Sequence, residues 1–406
     1  MLKSEGAVIP LLNNHKITYL VGGAEIVIRS LEPYAKLCCE FLNDLSSVLR
    51  TDETVAAYPD IMAFAFWCRK ANIAKFKKSF VDGKNRLGLG LAFHIAPANV
   101  PVNFAFSFVY GLLSGNANIV RVPTKSFPQI EIICTAINQL FTNSKYHKIK
   151  AMTAFVKYEQ NNEITAYFSA LCNARIIWGG DETIRNIRCL PIAERAIELM
   201  FADRYSLCVI AANAILQLSD ADLKRLAENF YNDNYFMDQN ACSSAHLIVW
   251  YGDEKEKVQA RFWTMVAEVV AKKYQLQTIQ VVDKYVALCH DAIDNDYTSQ
   301  FKRYGNYVYS VMLKTLPDNL DALRGKYGYF YEYNADDLRD LVRVVNEKYQ
   351  TLTYFGLDKI ELLKLVVDNH LLGIDRIVPI GQALEVGVIW DGYDIVKILS
   401  RIIDVK

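Results

Sequence analysis

The sequence carries no surplus of charge of either sign: 45 Lys plus Arg stand against 45 Asp plus Glu in 406 residues. With a pI near 7.0, nothing supplies the electrostatic excess that grips a phosphate backbone, so no nucleic acid is expected as a partner. Paired cysteine motifs are lacking too. The nine cysteines are scattered, with no CxxC and no histidine at metal-ligand spacing. Neither a disulfide framework nor a metal site is expected, and a reducing, cytoplasmic setting fits best. No export signal is read in MLKSEGAVIPLLNNHK, whose apolar stretch is broken by Pro10 and Asn13. A membrane span is also missing. Residues 87–120 contain no Asp, Glu, Lys or Arg, but Pro97, Asn99, Pro101 and Asn103 interrupt the run. Its helical part, 102–113, falls short of the ~20 residues a bilayer requires. The run reads as buried core. Internal repeats and low-complexity linkers are absent.

What is present is an ordinary globular composition, 52% hydrophobic and 22% charged, with room for two or three domains at roughly 100–200 residues each. From residue 87 strand and helix patterns alternate. LGLGLAFHIAP reads as a strand, VPVNFAFSFVYGLLSG as a helix ended by Gly115, and NANIVRVP as a strand. SFPQIEIICTAINQLF reads as a helix with Ser126 as N-cap and Pro128 in its first turn. MTAFVKY, a helix over 161–171, ARIIWGG and a helix over 181–189 complete this series. A second series runs YSLCVIAA, LSDADLKRLAENFYND, AHLIVWYG and DEKEKVQARFWTMVAEVVAKKY. Such alternation predicts α/β architecture with two doubly wound parallel sheets. Residues 283–334 show few helical signals and eight tyrosines from Tyr297 to Tyr333, read as strand faces; ADDLRDLVRVVNEKY reads as an amphipathic helix. The expected domains are 1–203, 204–372 and a tail over 373–406.

Three places could carry chemistry. In Asn240-Ala241-Cys242-Ser243-Ser244, small polar residues surround a thiol where a helix hands over to a strand, a setting in which a cysteine can ionise and attack a carbonyl carbon. The bland alternative is one more small core filler. His246 does not make a dyad with it. At about 3.3 Å per residue along a strand the two lie roughly 13 Å apart, so His246 is read as a strand-face residue and His94 as a satisfied core histidine. In IAPANVP (95–101) two prolines aim the Asn99 amide, which could donate to a developing oxyanion; capping the next helix is the commoner duty for such an Asn. Gly179-Gly180-Asp181 closes a strand and opens a helix, where backbone N–H groups favour a phosphate or a dinucleotide. It is not a GxGxxG motif.

In order along the chain, IAPANVP, GLLSGNANIVRVPT, IIWGGDETIRNIR and MDQNACSSAHLIVW resemble the aldehyde dehydrogenase superfamily from about residue 85 onward. The ending DRIVPIGQALEVGVIWDGYDIVKILSR is similar to that of its LuxC-like branch, the fatty acyl thioester reductases. The resemblance implies an aldehyde dehydrogenase-like fold, with 1–203 binding cofactor, 204–372 carrying the nucleophile and 373–406 returning to the cofactor domain or an oligomer interface. It implies Cys242 as acyl acceptor, Asn99 in the oxyanion hole, Arg121 at the adenosine part of the cofactor, and Gly179 and Gly180 under its nicotinamide half. The expected activity is reduction of a fatty acyl thioester, acyl-CoA or acyl-protein, to the aldehyde. Thr124 stands where NAD-preferring members often carry Glu, and Arg121 with Lys125 adds positive charge, so NADPH is the expected cofactor. An acyl-activating synthetase is a possible partner and a homo-oligomer the expected assembly. The sequence departs from hydrolytic members at FADRYS, which lacks the water-activating Glu of ELGGK; Glu198 lies a few residues away. LRGKYGYF lacks the acid expected near the nicotinamide ribose, and Asn240 replaces a Gln frequent in the LuxC-like group. A thiol acyltransferase or thioesterase using the same cysteine, and a catalytically silent partner of an acyl-activating enzyme, remain the alternatives.

Overall fold

The computed structural model describes residues 6–80, 82–97 and 99–406; residues 1–5 of the N-terminal stretch and Ala98 of IAPANVP lie outside them. The chain forms two units, Met1–Ala202 with Val388–Lys406, and Asp203–Gly387.

The first unit is built on a six-stranded sheet. Its strands run in the order Thr18–Val21, Thr153–Lys157, Ala117–Arg121, Leu91–Ile95, Ala174–Trp178, Ile197–Phe201. All pairs are parallel except that of the Thr18–Val21 edge. The charge-free run supplies the central strand Leu91–Ile95, buried along its whole length, and the helix Asn103–Leu113 packed beside it. That helix ends as the sequence predicts. Gly115 takes φ +84°, and a Cβ there would lie 2.1 Å from the Leu31 carbonyl, so only glycine fits. His94 is a satisfied core histidine, with Nδ1 2.8 Å from Ser107 Oγ and Nε2 3.0 Å from Asn118 Oδ1. From the central strand the chain winds outward on one side through 117–121 and 153–157, then returns to the other side at 174–178. The strand order therefore reverses between Leu91–Ile95 and Ala174–Trp178, where open α/β sheets hold their ligands.

The second unit holds a seven-stranded sheet ordered Thr298–Tyr304, Val308–Leu313, Tyr329–Ala335, Ala245–Tyr251, Tyr205–Ala211, Tyr349–Phe355, Arg376–Pro379. Only the Thr298–Tyr304 edge is antiparallel to its neighbour. Alternate side chains of Tyr205–Ala211 enter opposite cores: Tyr205, Leu207 and Val209 one, Cys208 and Ile210 the other. This is the period-2 signature of a strand buried on both faces. Both units are α/β, each built on a mostly parallel sheet, as the alternation predicts.

Four local expectations are corrected. The helix Pro128–Leu140 is preceded by Phe127 as N-cap without a side-chain bond, so Ser126 is not the cap. The segment ADDLRDLVRVVNEKY makes only a 3-10 turn, Leu338–Arg343, before Tyr349 enters a strand. A 3-10 turn repeats every three residues, so Leu338, Leu341 and Val344 imitate a helical stripe while burying into the sheet core. Residues 283–294 belong to a helix, Thr278–Asp294, whose pattern is inverted: Lys284 and Asp291 are buried while Ile279, Val282 and Ile293 are exposed. Residues 373–387 pack with the second unit, because Arg376–Pro379 is the outer strand of its sheet; the chain rejoins the first unit at Val388. There Ser400–Ile403 pairs with Asn85–Gly88.

Candidate active site

Cys242 lies in a turn between the helix Asp220–Asn234 and the strand Ala245–Tyr251, at the amino ends of the central parallel strands. The helix end nearest it is a C-terminus, whose dipole opposes a negative charge and fades within one turn. The turn is fixed by side chains the sequence reading did not single out. Asp238 and Gln239 both adopt left-handed backbone, φ +53° and +60°. Gln239 is 1% exposed. Its Nε2 donates to the carbonyls of Ala245 (3.0 Å) and Tyr329 (2.9 Å), and its Oε1 accepts from the N–H groups of Gly328 (3.1 Å) and Tyr329 (3.2 Å). Asn234 Oδ1 accepts from Ala245 N at 2.8 Å, and Ser244 Oγ donates to the Asp233 carbonyl at 2.8 Å. The Tyr274 hydroxyl donates to the Asp238 carboxylate.

The Cys242 carbonyl accepts from Ser206 Oγ at 2.7 Å, and its Sγ accepts from Gln350 Nε2 at 3.3 Å. The side chain is partly exposed. Other thiols are in different surroundings. Burial pushes Cys38, Cys134, Cys172 and Cys208 up to about 12; Cys68 is fully buried and raised well above the usual thiol range, and Cys39 is raised by burial. Cys189 and Cys289 are exposed. His246 stacks on Tyr205, with ring centroids 5.4 Å apart, and burial, aided by the Arg324 charge, holds its pKa near 3. A proton acceptor that weak is a poor base near neutrality, in keeping with a strand-face role.

The tail segment IVPIGQALEVG ties into the same helix. Asp233, 3% exposed, accepts from Gly381 N at 2.6 Å and Ala383 N at 2.9 Å. Burial raises its carboxyl to about 6 against the pull of those two N–H groups. Arg376 closes the loop from its other side, donating to the carbonyls of Gln382, Ala383 and Glu385 at 2.6–2.7 Å.

Asn99 and the cofactor candidates are all in the first unit. Asn99 is exposed in the bend after Leu91–Ile95. It is not a helix cap: the next helix starts at Asn103 with Val102 as N-cap and no side-chain bond. Gly179 and Gly180 follow Ala174–Trp178, so both segments flank the point where strand order reverses. A Cβ at Gly180 would meet nothing within 4 Å, and Gly180, as N-cap of Asp181–Arg188, makes no side-chain cap. The space beside Gly180 is therefore open, and Asp181 and Glu182 set negative charge in that first turn. Arg121 ends the strand Ala117–Arg121 with its guanidinium 4.5 Å from the Tyr158 ring centroid and a buried Nε that has no partner among the described residues. Thr124 is half-buried and Lys125 exposed, its Nζ 5.0 Å from the Phe127 ring centroid. Glu198 is committed elsewhere: its Oε1 accepts from Arg175 Nε at 2.8 Å and Nη2 at 2.6 Å, with Arg188 3.7 Å from its Oε2. Among the described residues no His, Cys, Asp and Glu gather as a metal site, and no helix is long and apolar enough to cross a membrane.

The family described as acyl-CoA reductase (LuxC) matches residues 68–402. No curated protein matches the sequence. Among solved structures, aldehyde dehydrogenase 21 from Physcomitrella patens, in complex with the product succinate, is 10% identical, with TM-score 0.63 over 90% of this chain and 85% of that one. A salicylaldehyde dehydrogenase from Pseudomonas putida G7, complexed with salicylaldehyde, is 12% identical, with TM-score 0.61 over 92% and 85%. An oxidoreductase from Marinobacter aquaeolei is 13% identical, with TM-score 0.61 over 92% and 87%. At such identities the likeness is one of fold.

Proposed function

The chain belongs to the acyl-CoA reductase (LuxC) family, and from that premise we propose that it moves a fatty acyl group from a thioester onto Cys242 and releases it as the aldehyde, with NADPH as reductant. The observation that carries this reading is the partly exposed Cys242 held at both its carbonyl and its sulfur, by Ser206 and Gln350. In the first step Cys242 Sγ, as thiolate, attacks the acyl carbonyl carbon, a C–S bond to the enzyme forms, and the donor's C–S bond breaks to release its thiolate. Asn99 is assigned to the oxyanion by the resemblance of IAPANVP; such donors contribute about 3 kcal/mol to a transition state.

Arg121, Thr124 and Lys125 would hold the adenosine side of the cofactor, with Gly179 and Gly180 beneath its reactive ring. When bound, a reduced nicotinamide supplies the hydride that takes the acyl group to the aldehyde level. Cys242 then leaves as thiolate, with the Gln350 N–H at its sulfur. Glu198, engaged by Arg175, is not free to activate water. Sparing the acyl-enzyme from hydrolysis suits a reductase.

Intact-mass analysis after mixing the chain with acyl-CoAs of graded length, without nicotinamide, tests this reading. One acyl adduct is expected on the wild type and none on Cys242→Ala. An adduct that persists in Cys242→Ala removes the assignment. Turnover of the adduct without nicotinamide would favour the acyltransferase or thioesterase alternative.

A further inference from the structure

We infer that Gln350 is a positioning residue that holds Cys242 Sγ and stabilises its thiolate through the side-chain amide. The inference rests on Cys242 being the acyl acceptor. It begins with the sheet. Both neighbours of Tyr205–Ala211 slip register beside Ser206: Ser206 faces Ala245 while Leu207 faces Leu247, and Tyr205 faces Tyr349 while Leu207 faces Leu352. Each flanking strand therefore carries one extra residue at the same level. Bulges of this kind re-aim side chains, and the one in Tyr349–Phe355 occurs at Gln350 and Thr351.

Gln350 is 2% exposed, and an amide buried without partners is costly. Its Oε1 accepts from Thr351 Oγ1 at 3.1 Å, which leaves the NH₂ end for Cys242 Sγ at 3.3 Å. Thr351 N also donates to Ser206 Oγ at 3.1 Å, and Ser206 donates to the Cys242 carbonyl. One pair of bulged residues thus fixes both ends of the nucleophile. A thiol sulfur is a weak acceptor and a thiolate a strong one, so the N–H to sulfur contact strengthens on ionisation and favours the charged form. An amide does not titrate, so the donor is present at every working pH. The nearby helix C-terminus cannot do this, and His246, held near 3, stays uncharged.

The test is the rate of iodoacetamide modification of Cys242, read by peptide mass in the full chain from about pH 5 to about pH 10, the range over which thiols ionise. Peptide mass separates Cys242 from the exposed Cys189 and Cys289. In Gln350→Leu the midpoint of the profile should move up by about one pH unit, as expected when a hydrogen bond to the charged form is lost. In Gln350→Glu, which keeps the volume but sets a carboxylate against the sulfur, it should move at least as far. The plateau rate at high pH should not fall and should rise by up to about threefold, because a thiolate of higher pKa is the stronger nucleophile. If the Gln350 variants do not fold, Thr351→Val frees the amide's other end and should give a smaller upward shift. A midpoint unchanged in folded variants overturns the inference, as does a lowered plateau with the midpoint in place. Absence of an acyl adduct on the wild type would sink the acyl-acceptor reading and leave these profiles as they are, so the two failures are separable.

Discussion

Replacing Gln239 by Leu removes the polar tie of the Cys242 turn at nearly constant volume. The strands Ala245–Tyr251 and Tyr329–Ala335 begin to pair only at Leu247 opposite Tyr331. Below that point the Gln239 amide bridges them, joining the carbonyls of Ala245 and Tyr329 to the N–H groups of Gly328 and Tyr329. Carbonyls have a second lone pair to offer, so the two orphaned N–H groups dominate the loss. At ~1–3 kcal/mol for each buried group left unpaired, Gln239→Leu should cost about 4 kcal/mol, a large share of the 5–15 kcal/mol typical of a whole domain. Urea unfolding followed by fluorescence of Trp250 and Trp263, both buried in this unit, measures it. The control is Gln239→Glu, which keeps acceptors for both N–H groups but sets an oxygen against two carbonyls. It should be destabilised near pH 7 and recover in part near pH 5 as the carboxyl gains a proton. A loss below about 1 kcal/mol in the Leu variant, smaller than the cost of one unpaired group, would show that the turn is held elsewhere.

Glu332 accepts from Trp263 at 2.8 Å and from Trp250 and Ser310, and burial pushes its carboxyl from 4.5 up to about 7. The folded chain binds this proton more tightly than the unfolded one, so the stability it contributes is full below about 4.5 and lost as pH rises through about 7. Glu332→Gln offers an oxygen to both indoles and an N–H to Ser310. Its thermal unfolding should lie within about 1 kcal/mol of the wild type near pH 5 and exceed it by about 3 kcal/mol near pH 8.5; an equal difference at both would refute the account. Asn99→Ala should leave folding intact, since Asn99 is exposed and caps no helix, and lower acylation about 10²-fold or more. Unchanged turnover per folded molecule would remove the oxyanion assignment. Thr124→Glu should shift preference from NADPH toward NADH by repelling a 2′-phosphate. A wild type that favours NADH by kcat/KM, or a variant with an unchanged ratio, would sink the ribose-site assignment.

Most of the succession of strands and helices along the chain was already implied by local signals. Strands such as LAFHI and SLCVIA are near-continuous apolar runs, which is how a parallel strand covered on both faces must read. Gly115 marked a helix end because only glycine accepts its backbone. Cys242, Asn99 and the Gly179-Gly180 turn were visible because motifs keep their residues contiguous. The groups that hold Cys242 were not. Gln239 has no local partner that announces it; its four bonds reach Ala245, Gly328 and Tyr329. Gln350 followed a stretch that reads as helix up to Tyr349, because a 3-10 turn repeats apolar residues at nearly helical spacing. Only the parallel pairing of Tyr349 with Tyr205 makes it a strand. Sequence periodicity reports which face of an element is buried, whereas a contact 108 residues distant along the chain, like that of Gln350 with Cys242, exists only once register and bulges are set by the sheet as a whole.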